Sequence, residues 1–219
     1  MFREDSLSNV AARVNTWWLG RFDFMIPIIL ASRSANRIEI LRREGVVFEA
    51  IEAPIDDAAQ APSGIVQQNA MRIARMKAQS VREAFAQRCQ GKVILAADTI
   101  CEMAGLAMGK PQSLDEARSM LELAFGGAHH VVTGVCILHG GHEWSFFDQA
   151  LVTMDAVSPE QLEKYLASEL WRGRAGGYDM SQRLRDGWRV HCEGDPDTVA
   201  GLPWRRVKEF LLRVEKEFQ

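Results

Sequence analysis

Apolar and polar positions alternate along this chain with two different periods. Short apolar runs bounded by turn residues predict strands over 26–32, 47–53, 93–100, 129–138 and 143–154, the last two joined by a hairpin at Gly140-Gly141. Between them lie stripes at helical spacing. Ile38, Ile40, Leu41, Val46 and Val47 form one, closed near Gly45. A longer one runs over 64–88 behind Ser63 as N-cap, with Ile65, Val66, Ala70, Ile73, Ala74, Ala78, Val81, Ala84 and Phe85 inward and Lys77 beside them. Ser113 and Glu116 have capping-box spacing at the start of a third helix that ends at Gly126-Gly127. Ser158-Pro159 opens a fourth, and Gly201-Leu202-Pro203 opens the last, with Val207, Phe210, Leu211 and Val214 facing the core. Residues 173–183 read as a glycine-rich entry to a short strand or loop, and 193–197 as an acidic turn.

One strand carries a carboxylate in apolar company. Val93-Ile94-Leu95-Ala96-Ala97-Asp98-Thr99-Ile100 reads as a buried strand that delivers Asp98 to its carboxyl end, where α/β sheets bind ligands. A buried carboxylate must find hydrogen bonds, a cation or a substrate, although an Asp that only caps the next turn fits the segment alone equally well. Gly109-Lys110-Pro111 then returns a cation toward the same edge. Upstream, the turn Ser32-Arg33-Ser34-Ala35-Asn36-Arg37 sets hydroxyls, free N–H groups and two arginines at a helix start, which suits an anion as well as an ordinary cap. The pair Asp56-Asp57 can help hold a hard cation or can simply be solvated, and Lys77 can snorkel or reach a phosphate. His129 and His130 are strand neighbours on opposite faces, so they do not readily grip one ion.

Composition narrows the function classes without choosing among them. The 219 residues carry a formal net charge of −3, which disfavours bulk nucleic-acid binding but allows a local basic site for a phosphorylated small molecule. The four cysteines lack any CxxC spacing, so a reducing, cytoplasmic setting is expected rather than a disulfide framework or zinc knuckle. No apolar run is long enough to span a membrane. Residues 1–24 read as an N-terminal extension without assigned chemistry, and 25–219 as a single domain.

The ordered motifs resemble the Maf family of nucleoside triphosphate pyrophosphatases, once described as septum-formation inhibitors. The pieces are Leu30 to Arg37 against LASxSPRR, Ile55-Asp56-Asp57 against IDE, Lys77-Ala78 against KA, Ala97-Asp98-Thr99 against ADT, Gly109-Lys110-Pro111 against GKP and Val132-Thr133-Gly134 against VTG. Gly194-Asp195 and Gly201-Leu202-Pro203 complete a match from Ile28 to Val214. Two departures stand out. Ala35-Asn36 replace a Pro-Arg pair, and Asp179-Met180-Ser181-Gln182 replace a GIQG-like segment.

The resemblance implies an α/β, Maf/ITPase-like fold: an elongated mixed sheet with flanking helices and two lobes around a central cleft. It implies hydrolysis of a nucleoside triphosphate, dTTP or UTP or a modified nucleotide, to the monophosphate and pyrophosphate. Asp98 would be the catalytic base; Asp57 and Asp98 would hold a divalent cation, Mg²⁺ first and Mn²⁺ or Co²⁺ as alternatives. Ser32, Ser34, Arg37, Lys77 and Lys110 would hold phosphates, while Asn36, Thr99 and Ser181 or Gln182 would touch the base. A homodimer is a further implication. The altered phosphate loop also admits a different class, a nucleotide-binding regulator of cell division with reduced catalysis.

Overall fold

The structure is a computed structural model and describes residues 24–55 and 64–218. Its strands are β1 (Ile28–Leu30), β2 (Phe48–Ala50), β3 (Val93–Met103), β4 (Leu106–Met108), β5 (Gly127–His139), β6 (His142–Met154) and β7 (Val190–Glu193). Its helices are α1 (Ala35–Arg43), α2 (Val66–Ala84), α3 (Ala86–Cys89), α4 (Leu114–Ala124), α5 (Pro159–Ala167), α6 (Met180–Arg185), α7 (Pro196–Ala200) and α8 (Trp204–Phe218). The strands form one seven-stranded sheet in the order β2-β1-β3-β5-β6-β7, with β4 paired to β3. β2, β1 and β3 run parallel, and β3 to β7 are antiparallel.

The two-residue period of β3 divides the core between its faces. Ile94 and Ala96 pack with Ala74, Ala78 and Val81 of α2. Val93, Leu95 and Ala97 pack on the opposite side with Ile40 and Leu41 of α1 and with Val207 and Leu211 of α8. The far ends of the long strands build a second core, in which Cys101, Met103, Val131, Val152 and Met154 meet α4, α5, Trp171 and Tyr178. This is the expected mixed sheet flanked by helices, with apolar clusters packed on both of its faces.

Four local readings change. The helix predicted over 64–88 breaks at Phe85 (φ −127°, ψ 38°), where the chain begins its reversal from α2 into β3. Residues 173–183 form a 3-10 turn, Ala175–Gly177, and then α6 rather than a strand, because Asp179 Oδ1 accepts the Gln182 N–H and caps a helix whose Met180 and Arg183 point inward. The acidic turn likewise starts a helix, with Asp195 accepting the Asp197 N–H. The β3 strand continues past Ile100 to Met103 and folds back through Ala104 and Gly105 (φ 50° and 75°) into β4, a two-residue hairpin that needs left-handed backbone at both positions.

Candidate active site

Asp98 does not stand at the end of its strand, as the sequence reading placed it; it stands where the strand loses a neighbour. One edge of β3 is paired with β5 throughout, from Ile94 to Glu102. The other edge is shared: β1 covers Val93 to Leu95, and β4 covers Cys101 to Met103. Between them residues 96–100 have no strand neighbour on that edge among the described residues; Asp98 sits at the centre of this opening and, with Thr99 and Ile100, lines a cleft of about 890 Å³. Val93 N–H and Leu95 C=O bond toward the β1 side, so by alternation Ala97 and Thr99 turn their backbone groups to the opening.

The side chain of Asp98 points toward α2 and meets a cation there. Lys77 Nζ lies 2.7 Å from Asp98 Oδ1, and the two side chains are only 7% and 12% exposed. The sequence reading set Lys77 beside the apolar stripe of α2; the structure sets it inside, between Ile73 and Val81 on the buried face. The spacing is possible because β5 carries Gly134 directly opposite Asp98. A Cβ on Gly134 would stand 2.2 Å from the Ala70 carbonyl carbon, so glycine is what lets α2 come down onto the sheet.

The opposite face of the opening is organised by Arg37, which is 8% exposed. Its Nε donates to Gly201 O at 2.7 Å, its Nη1 to Ser32 Oγ at 3.2 Å and its Nη2 to Thr99 Oγ1 at 3.2 Å. Thr99 Oγ1 is 2.9 Å from Thr133 Oγ1, which donates to Thr198 O at 2.7 Å. Gly201 takes a left-handed conformation (φ 101°) that ends α7 and aims this carbonyl at the guanidinium. Ser34 is the N-cap of α1 without a side-chain cap bond; its N–H goes to Ser32 Oγ, and the first turn of α1 opens on the cleft.

Cations dominate this cavity although the chain is acidic overall. Arg33, Arg37, Lys77, Lys110, Arg172 and Arg174 line it, against Glu52, Asp98 and Glu116. Arg33 pairs with Glu52 and Arg172 with Glu169, both at exposed positions worth little in stability. A basic cavity with a helix N-terminus, hydroxyls and a buried carboxylate, Asp98, is suited to take a polyanion and place a water beside it.

Comparison with known proteins decides the family. The sequence model described as Maf-like protein matches residues 27–214. The chain belongs to the Maf family. Its relatives include proteins named dTTP/UTP pyrophosphatase from Pyrococcus abyssi (37% identity over 186 residues, 84% of this chain and 94% of the relative), Bacillus anthracis (35% over 197 residues, 89% and 96%) and Chlorobaculum parvum (32% over 180 residues, 82% and 90%).

In this Maf protein the cleft gathers Ser32, Ser34, Asn36, Arg37, Lys77, Asp98, Thr99 and Lys110. Ser181 and Gln182, expected at the base, lie on the first turn of α6, Ser181 exposed, and the residues of 173–183 that line the cleft are Gly173, Arg174, Ala175 and Tyr178. Asp57 lies outside the described residues, as does the extension up to residue 23. Sequence reasoning missed Arg174, Asp179, Thr133 and Thr198. A signal existed for Asp179: Asp179 to Gln182 has the spacing of a cap and its partner three residues on. His129 is buried with Nε2 2.7 Å from Tyr178 Oη, its pKa pushed down to about 4 by burial and the neighbouring His130.

Proposed function

We propose that this chain hydrolyses nucleoside triphosphates between the α- and β-phosphates, releasing a monophosphate and pyrophosphate, with dTTP and UTP as the substrates to try first. The observation that carries the reading is the Lys77–Asp98 pair on the floor of a basic cleft, where β1 and β4 leave the edge of β3 open. It is supported by relatives named for this reaction over most of the chain.

The chemistry follows from the donors and acceptors present. Lys77 fixes Asp98 through Oδ1, so Oδ2 is the oxygen placed to accept a proton from an attacking water. The water oxygen bonds to the α-phosphorus as the bond to the bridging β-oxygen breaks, and the electron pair leaves with pyrophosphate. Arg37, Lys110 and the N-terminal turn of α1 meet the charge that spreads over the phosphates.

A divalent cation fits this donor set. Asp98 and the phosphates offer hard oxygens, and Mg²⁺ is held by one or two carboxylates plus substrate oxygens rather than by an all-protein cage. Asp98 with Asp57 would hold it, and it would supply charge neutralisation on the triphosphate. Mg²⁺, Mn²⁺ and Co²⁺ are compared directly by titration.

No helix among the described residues is long and apolar enough to cross a membrane. Cys89, Cys101, Cys136 and Cys192 are free thiols, in keeping with a reducing, cytoplasmic compartment. Homodimerisation is read by sedimentation of the same preparation. The deciding experiment is pyrophosphate release from a panel of triphosphates with each metal; a protein that binds them without releasing pyrophosphate would return the cell-division regulator to consideration.

A further inference from the structure

Arg37 is tied into the fold by two routes, and both lead to the same hydroxyl. The first runs across the sheet. Thr99 on β3, Thr133 on β5 and Asp148 on β6 are direct cross-strand partners, so their side chains stand in a row on one face. Arg37 Nη2 donates to Thr99 Oγ1, which meets Thr133 Oγ1 at 2.9 Å. The second runs through the end of α7: Arg37 Nε donates to Gly201 O, the Gly201 N–H donates to Thr198 O at 3.1 Å, and Thr198 O also accepts the Thr133 hydroxyl at 2.7 Å. Thr198 is held in turn, since its Oγ1 donates to Asp148 Oδ2 at 2.7 Å, and Arg206 Nη1 lies 3.6 Å from Asp148 Oδ1. Thr133 and Thr198 are both fully buried.

The protons in this chain can run only one way. A carbonyl can only accept, so the single Thr133 proton goes to Thr198 O. Thr99 must then donate to Thr133, and its oxygen receives the guanidinium, which can only donate. The order is Arg37 to Thr99 to Thr133 to Thr198 O. Neither hydroxyl is left to rotate between alternatives, so the guanidinium meets a fixed acceptor at Thr99 instead of a swivelling one. Arg37 and Thr99 line the cleft, whereas Thr133, Thr198 and Asp148 are not part of its lining. Where β5 needs only bulk it carries valine, at positions 131, 132 and 135. A buried hydroxyl among them costs desolvation that valine would not, and its two bonds on the way to Arg37 are what it supplies in return.

We propose that Thr133 is a positioning residue for Arg37: backed by Thr198 and Asp148, its hydroxyl sets the angle at which the guanidinium meets a phosphate, without touching that phosphate itself. The inference rests on the hydrolase reading for what Arg37 does in turnover. The coupling of Thr133 to Arg37 stands on the geometry alone.

The test compares Thr133→Val, which keeps the buried shape and removes the hydroxyl, with Thr133→Ser, which keeps the hydroxyl and removes a buried methyl. Each is read by melting temperature, by kcat and KM for UTP with Mg²⁺, and by water exchange of the Arg37 Nε–H, identified in NMR spectra as the side-chain signal missing from Arg37→Lys. Serine leaves a small cavity and should lower the melting temperature, yet it should keep kcat within about twofold of the wild type. Valine should lower kcat by about 10- to 100-fold, the cost of a misplaced group in a catalytic array, and speed Nε–H exchange by at least about tenfold. A role in stability alone would instead make activity follow melting temperature through both variants. Asp148→Ala, partly exposed and outside the cleft lining, loosens the chain from its far end and serves if the valine protein does not fold; it should move kcat and Nε–H exchange in the same directions by about threefold. A valine protein that keeps at least about half the wild-type kcat, Nε–H exchange unchanged in every variant, or a serine protein that loses kcat as valine does would overturn the proposal. A wild type that releases no pyrophosphate would refute the hydrolase reading instead, and Nε–H exchange would still judge this one.

Discussion

Gly134→Ala is a one-carbon change placed under α2. The added Cβ would lie 2.2 Å from Ala70 C, 2.3 Å from Met71 N and 2.5 Å from Ala70 O, all backbone atoms of the helix that carries Lys77. No rotamer relieves backbone contacts, so α2 must withdraw by roughly 1 Å or β5 must buckle. Overpacking of this kind costs about 1–3 kcal/mol. For a domain of this size that corresponds to a fall in melting temperature of roughly 3–10 °C. The same withdrawal would carry Lys77 away from Asp98, now at 2.7 Å, and a displacement of about 1 Å in a catalytic array costs roughly 10²-fold in turnover. Gly127→Ala is the control: it lies on the same strand, and a Cβ there meets nothing within 4 Å. The assays are a thermal melt and kcat for UTP with Mg²⁺ on all three proteins. If Gly134→Ala melted and turned over like Gly127→Ala, the claim that close approach of α2 builds the Lys77–Asp98 pair would be wrong.

Asp98→Asn should lower kcat by about 10²- to 10⁴-fold, and because it leaves Lys77 buried beside a neutral amide it should also destabilise the fold; calorimetry and pyrophosphate release read the two effects. Lys110→Ala, at an exposed position in the cleft lining, should raise KM with little change in stability, and unchanged kinetics across a salt series would assign Lys110 to the surface alone. His129 has a folded pKa of about 4 against an ordinary 6.5, so between those values the unfolded chain binds the extra proton and stability rises with pH. The window is worth roughly 3 kcal/mol, and urea denaturation of His129→Gln at pH 4.5 and 7 should show a visibly flatter dependence than the wild type.

The sheet and its main helices were legible because their apolar periods are long and their caps conventional; Ser158, for instance, makes both bonds of a capping box with Gln161. Short helices were not. Three turns of pattern are needed to see a helical stripe, and α6 and α7 are set by single caps, Asp179 and Asp195, that a reader of composition takes for polar loop. The candidate site was legible as residue types and not as partners. Nothing in the run of β3 tells that β1 stops at Leu30 and β4 stops at Met108, yet those two endpoints open the edge beside Asp98. Lys77 looked peripheral because lysine on an apolar stripe usually carries its charge outward; here a carboxylate on the facing strand keeps it in.

A strand edge left open is ordinarily a hazard, because its row of amide groups invites a strand from another molecule and so nucleates association. The opening beside residues 96–100 is bounded at one end by β1 and at the other by β4, both hydrogen-bonded to β3 itself. An incoming chain would have to end flush at both limits, and that length is about the shortest at which strand pairing is worth having. A nucleotide meets no such restriction. The same interruption that admits a small ligand thus excludes a polypeptide, so this protein can keep part of an internal strand bare without becoming prone to edge-to-edge aggregation.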